Sequence, residues 1–287
     1  MSMSKIFHPI IQMCAMYSTP VQIVSVEPSP KVFCEMTDML MAHLTKEDKQ
    51  HMNIIRLNVA LSSQTGHLVF RDPGNEGGQL LGNNFSDLSM MTTEEYAQYS
   101  ECKYPGGEFR NMTLDGERQT SIPTYTLDLL VASLENLGKI RQYQEIFVVK
   151  IDTEGKNQPY NHYSFSMSCS NLLMYLATGH DYNTLLGAKE LLKNKRITFI
   201  VFEVWSNIIV KSISQHMAQF EYQCFLLTKY ALVPVHETDW WYPHLTNFTT
   251  QYWGNGLCAV KDSKDLAMLW RMYHSDDLKL LNSYELL

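Results

Sequence analysis

The sequence contains no Cys-x-x-Cys pair, no Gly-x-Gly-x-x-Gly loop and no apolar run long enough to cross a bilayer, and its longest basic cluster is Lys193-Asn-Lys-Arg196. Each absence removes a class of function. Cys14, Cys34, Cys102, Cys169, Cys224 and Cys258 lack the ligand spacing of a zinc site and show no disulfide framework, so no metal centre is expected and buried, reduced thiols are. A formal charge of −7 gives no electrostatic drive toward nucleic acid or anionic lipid, and the short basic run reads as the solvated end of a helix. Met1 to Tyr17 lacks the charged start, long apolar centre and small-residue cleavage site of a signal peptide. A cytoplasmic location is therefore expected, while the sequons at Asn84, Asn111 and Asn247 keep the secretory pathway open.

At 287 residues and 45% hydrophobic content, the chain can bury one large α/β core or two small ones. Its organising stretch is Phe147-Val-Val-Lys-Ile-Asp-Thr-Glu-Gly155. An apolar run ending abruptly in carboxylates and a glycine is how a buried parallel strand delivers polar groups to the open end of a sheet. Asp152 and Glu154 then lie where open α/β sheets bind ligands; the alternative is a core strand followed by an acidic turn. Val21 to Val26 repeats the pattern and ends in Glu27, with Pro28 and Pro30 stopping the strand and setting up a helix.

Along the chain, apolar spacing predicts a helix from Ser4 to Tyr17 and a second, capped by Ser29, to about Leu44. Strands are expected at Asn53 to Leu61 and His67 to Arg71. Asp72 to about Tyr125 is rich in Gly, Asn, Ser, Thr and Pro and reads as a long irregular segment. Helical periodicity resumes over Thr126 to Leu137, Tyr182 to Lys193 and Ile208 to Phe220. Strands are expected at Ile197 to Val204, which carries Glu203, at Cys224 to Thr228, and at Leu257 to Val260 after a loop holding Trp240, Trp241 and Trp253. This alternation predicts one α/β domain over 1–287, with a doubly wound, mostly parallel sheet and an antiparallel carboxyl-terminal edge.

Taken together, Val26-Glu-Pro-Ser-Pro30, Asn58-Val-Ala-Leu-Ser62, Thr126-Leu-Asp128, Lys150-Ile-Asp-Thr-Glu-Gly155, Leu186-Gly-Ala188 and Phe202-Glu-Val204 resemble the FkbM-type methyltransferase family over most of residues 5 to 260. The resemblance implies a Rossmann-like class I fold, S-adenosylmethionine as cofactor, and methyl transfer to an oxygen of a small molecule or sugar. It places Glu27 on the cofactor ribose, where a carboxylate accepts both hydroxyls. Ala60, Leu61 and Ser62 fall at the adenine pocket. Asp152 and Glu154 correspond to the family's acidic motif and could orient the acceptor hydroxyl, take its proton or hold a cation. Glu203 falls toward the acceptor side, and His180 is a candidate base.

Two departures accompany the resemblance. The family's first strand and its glycine-containing cofactor loop are missing, which leaves the middle of the sheet without a strand and points to a start upstream of Met1. Residues 156–179 read as an insertion, because removing them rejoins Ile-Asp-Thr-Glu-Gly to the His180-Asp-Tyr helix; a retained intron and a substrate lid are the two explanations. Competing functions are a catalytically inactive Rossmann-like binding protein and a nicotinamide dehydrogenase, the latter weakened by the absent Gly-x-Gly-x-x-Gly.

Overall fold

The first strand, β1 (Val21–Val26), is β-branched at Val21, Ile23, Val24 and Val26 and stops where Pro28 and Pro30 remove backbone donors. Ser29 then caps α1 (Pro30–His43): its Oγ accepts from Val32 N at 3.3 Å and its carbonyl from Phe33 N at 2.9 Å. These elements come from a computed structural model that describes residues 21–43, 52–72, 79–102, 118–152, 172–177, 181–204, 207–227, 232–235 and 254–274. The helix expected at Ser4 to Tyr17 and the tryptophan loop lie outside them. The chain divides into two compact units, Met1–Glu190 and Leu191–Leu287.

In the first unit the elements after α1 are β2 (Met52–Leu57), β3 (Ala60–Leu61), β4 (Gly66–Asp72), β5 (Gln79–Phe85), α2 (Thr93–Ser100), β6 (Arg118–Tyr125), α3 (Leu127–Asn136), β7 (Ile146–Asp152), β8 (Leu172–Ala177) and α4 (Asp181–Leu186). Four strands pair in the order β7-β8-β1-β2, every ladder parallel. Parallel neighbours need a crossover, and α1 supplies the one from β1 to β2. Ile23, Val24, Val26, Val149, Ile151, Leu172 and Met174 are all buried along these strands, as parallel strands covered on both faces require.

The inner position of β8 corrects the expectation for residues 156–179. That segment is not wholly an appendage, because Leu172–Ala177 pairs with β7 on one side and β1 on the other. The resemblance leaves the place between these two strands empty, and the apolar patch of the apparent insertion fills it. Backbone N–H and C=O groups on two buried strands would otherwise face no partner, at about 1–3 kcal/mol each.

A second sheet of four strands, ordered β3-β6-β4-β5, is built largely from residues expected to be irregular. Polar composition hid β5 and β6 because both are held by antiparallel pairing with β4, with a bulge between Leu68 and Val69 in the β5 ladder, rather than marked by apolar runs. The single strand expected at Asn53 to Leu61 is two: β2 joins the parallel sheet, and β3 pairs with β6. Asn58 makes the break, since its backbone N–H goes to the Tyr99 carbonyl at 2.9 Å instead of a ladder.

The helix expected at Tyr182 to Lys193 is also divided, into α4 and α5 (Lys189–Lys193). Asp128 occupies the break. Its backbone N–H donates to the Gly187 carbonyl at 3.0 Å, and its carboxylate accepts from Glu190 N at 2.9 Å, capping α5.

The second unit holds β9 (Ile197–Val204), α6 (Asn207–Ala218), β10 (Tyr222–Leu227), β11 (Leu232–Pro234), β12 (Gly254–Val260) and α7 (Lys264–His274). Its strands run β11-β10-β12-β9, antiparallel throughout. Gly256 is required because a Cβ there would enter the Phe202 ring. Lys195 is not merely solvated, since its Nζ donates to the Phe220 carbonyl and forms an ion pair with Glu221 at 3.0 Å.

The described cysteines correct the expectation of reduced thiols: Cys34 is bonded to Cys102 and Cys224 to Cys258. Sequence spacing could not show this, because each pair meets only after α1 packs near α2 and β10 pairs with β12.

If β8 is structural, replacing Met174, which is 2% exposed, by Asp puts a carboxylate into the sheet interior and should cost about 3–5 kcal/mol. Circular-dichroism melting checks this, and deletion of 156–179 should abolish the cooperative transition. A deletion protein that melts like the parent would show that the strand is dispensable.

Candidate functional site

The carboxyl ends of β7, β8 and β1 finish nearly flush: Asp152 is the register partner of Ala177, and Val26 that of Leu176. With adjacent strands about 4.8 Å apart, the strand carrying Asp152 and the one leading to Glu27 are separated by about 10 Å across β8. The sheet therefore presents two acidic positions at one edge, on either side of an inner strand. Glu154 and His180 lie outside the described residues.

Glu27 is 8% exposed. Its backbone N–H donates to the Leu57 carbonyl at 3.1 Å, extending the β1–β2 ladder by one residue. Its Oε1 accepts from Ser29 N at 2.7 Å, so the carboxylate also sits at the start of α1, where the helix dipole favours negative charge. Asn58 then fixes the turn from the other side. Its side-chain amide donates to the carbonyls of Glu27 at 2.7 Å and Pro28 at 3.1 Å. The Glu-Pro-Ser-Pro and Asn-Val-Ala-Leu-Ser motifs, separate in sequence, are thus joined by one amide.

A second junction brings together Ser62, Thr126, Asp128 and Gly187. Ser62 N donates to the Tyr125 carbonyl at 3.0 Å, and Thr126 caps α3 by accepting from Leu129 N at 3.1 Å. A Cβ added at Gly187 would overlap the Ser62 carbonyl and lie 3.2 Å from Thr126 Cβ. Gly187 is small because three chain segments meet there. The same packing bears on the adenine assignment: Ala60 and Leu61 are wholly buried, Ala60 against Leu68 and Ile122. Neither presents surface to a ligand, while Ser62 remains slightly exposed. Glu203 is buried in the second unit, opposite Asn255 on β12.

The sequence reasoning missed α2, although Thr92-Thr-Glu-Glu95 carries the signal for it. Thr92 Oγ1 accepts from Glu95 N at 3.2 Å and Glu95 Oε2 accepts from Thr92 N at 2.8 Å, a reciprocal cap. The helix is tied down at its far end by the Asn58–Tyr99 bond and the Cys34–Cys102 disulfide. It brings Tyr96 and Tyr99 near Glu95, Arg56 and the buried Tyr125. Lys139 Nζ lies 4.5 Å from the Tyr96 ring centroid.

Burial pushes all three phenols above their ordinary value. Glu95 adds to the rise for Tyr99 and Tyr125, Tyr99 adds to that of Tyr125, and the Arg56 cation opposes it at Tyr96. At neutral pH they are protonated phenols, not phenolate bases. Among the described residues no cluster of His, Cys, Asp and Glu could hold a metal ion, and no helix is long and apolar enough to cross a membrane. Comparison with protein-family models, curated proteins and solved structures finds no match.

Asn58→Ala removes both contacts to the Glu27-Pro28 turn and should destabilise the fold by about 1–3 kcal/mol, measured by urea unfolding; an unchanged midpoint would show that the turn holds itself. For Tyr125, the unfolded phenol releases its proton near pH 10.0 while the folded one retains it. Above that pH the unfolded state binds fewer protons, so stability falls as pH rises and is independent of this group below it. Tyr125→Phe should flatten the alkaline fall in unfolding free energy between about pH 10 and 12; an unaltered slope would show that Tyr125 is not its source.

Proposed function

We propose that this chain is an S-adenosylmethionine-dependent methyltransferase that acts on an oxygen of a small molecule or sugar. The observation that carries this proposal is the buried Glu27 carboxylate at the carboxyl end of an inner strand among the four parallel strands of the first unit. Asp152 ends a strand two places away. A carboxylate so placed suits a vicinal diol, because its oxygens accept from both hydroxyls.

Residue fit divides within the expected set. Glu27 and the Asn58-braced turn suit the ribose. Ala60 and Leu61 do not suit an adenine wall, being closed inside the core, which leaves Ser62 as the position from that motif open to a ligand. When bound, the cofactor supplies an electrophilic methyl group. Glu27 binds and orients the ribose, and Asp152 at the strand end holds the acceptor hydroxyl or takes its proton. Glu154 and His180 follow from the family resemblance alone.

The closure of Ala60 and Leu61 favours a second reading, a binding protein of the same fold that no longer takes the cofactor. Calorimetric titration with S-adenosylhomocysteine separates the two. Binding to the parent chain is expected, with Glu27→Gln weakening it about 5- to 150-fold through the loss of charge-assisted hydrogen bonds. Because the glutamine oxygen still accepts from Ser29 N, the unfolding free energy should change by no more than about 1 kcal/mol. Neither heat nor a thermal shift with the parent chain would leave the binding-protein reading.

A further inference from the structure

Two disulfides of unlike construction stand in separate units. Cys34, inside α1, meets Cys102, just beyond α2, at a Cα separation of 5.2 Å across 68 residues of sequence. Cys224 and Cys258 are direct register partners on β10 and β12, with Cα atoms 4.0 Å apart. Cys224 and Cys258 are both buried, so once formed their bond is shielded from soluble reductants, whereas Cys34 is buried and Cys102 exposed. Disulfides of this structural kind are uncommon where glutathione and thioredoxin keep thiols reduced.

The sequon Asn84-Phe-Ser86 adds an independent observation. Within the described residues β5 is an edge strand, and Asn84 near its end is the register partner of His67. His67 is exposed, whereas its neighbour Leu68, opposite Asn83, packs in the core with Ala60 and Ile122. Alternation along a strand assigns the Asn84 position to the His67 face, away from that cluster. Ser86 follows the strand and is exposed.

We propose that the chain matures in an oxidising compartment of the secretory type and carries an N-linked glycan on Asn84. Each thiol pair gives up two electrons and two protons to a protein disulfide of that compartment, which leaves as a dithiol. The Asn84 amide nitrogen forms a bond to the anomeric carbon of a lipid-linked oligosaccharide, losing one proton, as the lipid diphosphate leaves. Both modifications are independent of the proposed methyl transfer.

The test expresses the full chain in eukaryotic cells behind a cleavable secretory signal and, in parallel, in the cytosol. Cells are lysed into N-ethylmaleimide, and peptides are mapped without reduction after glycosidase release in ¹⁸O water. In the secretory sample, Asn84 should be recovered as labelled aspartate, with Cys34 linked to Cys102 and Cys224 to Cys258. Asn84→Gln should remove one glycan step on a gel without altering the melt. In the cytosolic sample the four thiols should be alkylated and the melting transition lowered or lost. Folded secretory protein with unmodified Asn84 overturns the glycan assignment. A cytosolic chain that melts like the secreted one with all four thiols free overturns the requirement for an oxidising compartment.

Discussion

The first unit depends on the two ladders made by β8. A parallel sheet in the interior has no water to satisfy its backbone, so β7 and β1 each need a neighbour on the side where they would otherwise face one another. Leu172–Ala177 provides it, with Val24 and Val149 both in register with Met174. That pairing aligns the strand ends, and the alignment puts Asp152 and the Glu27 turn at one edge. Removing the strand would remove the candidate site along with part of the core.

Short polar contacts then hold the loops beyond those ends. One amide, on Asn58, joins the turn after β1 to the turn after β2, and one carboxylate, on Asp128, joins the start of α3 to the start of α5. Both residues lie in stretches that the family resemblance singles out. Their observed work is structural, since they satisfy backbone groups where regular ladders end. Glu27 serves the start of α1 through Oε1, and the ribose contact proposed for it would add a second kind of work to the same carboxylate. A resemblance built on such motifs therefore speaks more directly to the arrangement of loops than to chemistry.

The two units use different sheet designs. The first gathers parallel strands through crossovers; in the second, β10 pairs with both β11 and β12 in antiparallel ladders, and the Cys224–Cys258 bond crosses the latter. A cross-strand bond constrains the unfolded chain and fixes one register of that ladder. At the other disulfide, the same covalent chemistry ties α1 to the end of the short helix that carries Tyr96 and Tyr99. Phenols are protonated at neutral pH in any setting and can donate hydrogen bonds; burial extends that state of Tyr96, Tyr99 and Tyr125 to more alkaline pH.

Sequence by itself determined the elements whose pattern is local. Apolar runs gave β1, β7 and β9; Ser29 and Thr126 marked the starts of α1 and α3 through capping that needs only three or four successive residues. Glu27 and Asp152 were legible as strand-end carboxylates for the same reason. Only the tertiary structure decided the rest. Leu172 to Ala177 is apolar in any reading, but that it enters the sheet between β7 and β1 depends on strands distant in sequence. The break at Gly187 depends on Asp128, the break at Asn58 on Tyr99, and the closing of Ala60 on Leu68 and Ile122. The cysteine pairs likewise depend on which helices and strands become neighbours. Local periodicity records how a segment satisfies its own backbone and which face it buries; it carries no record of the segment that satisfies it from the other side.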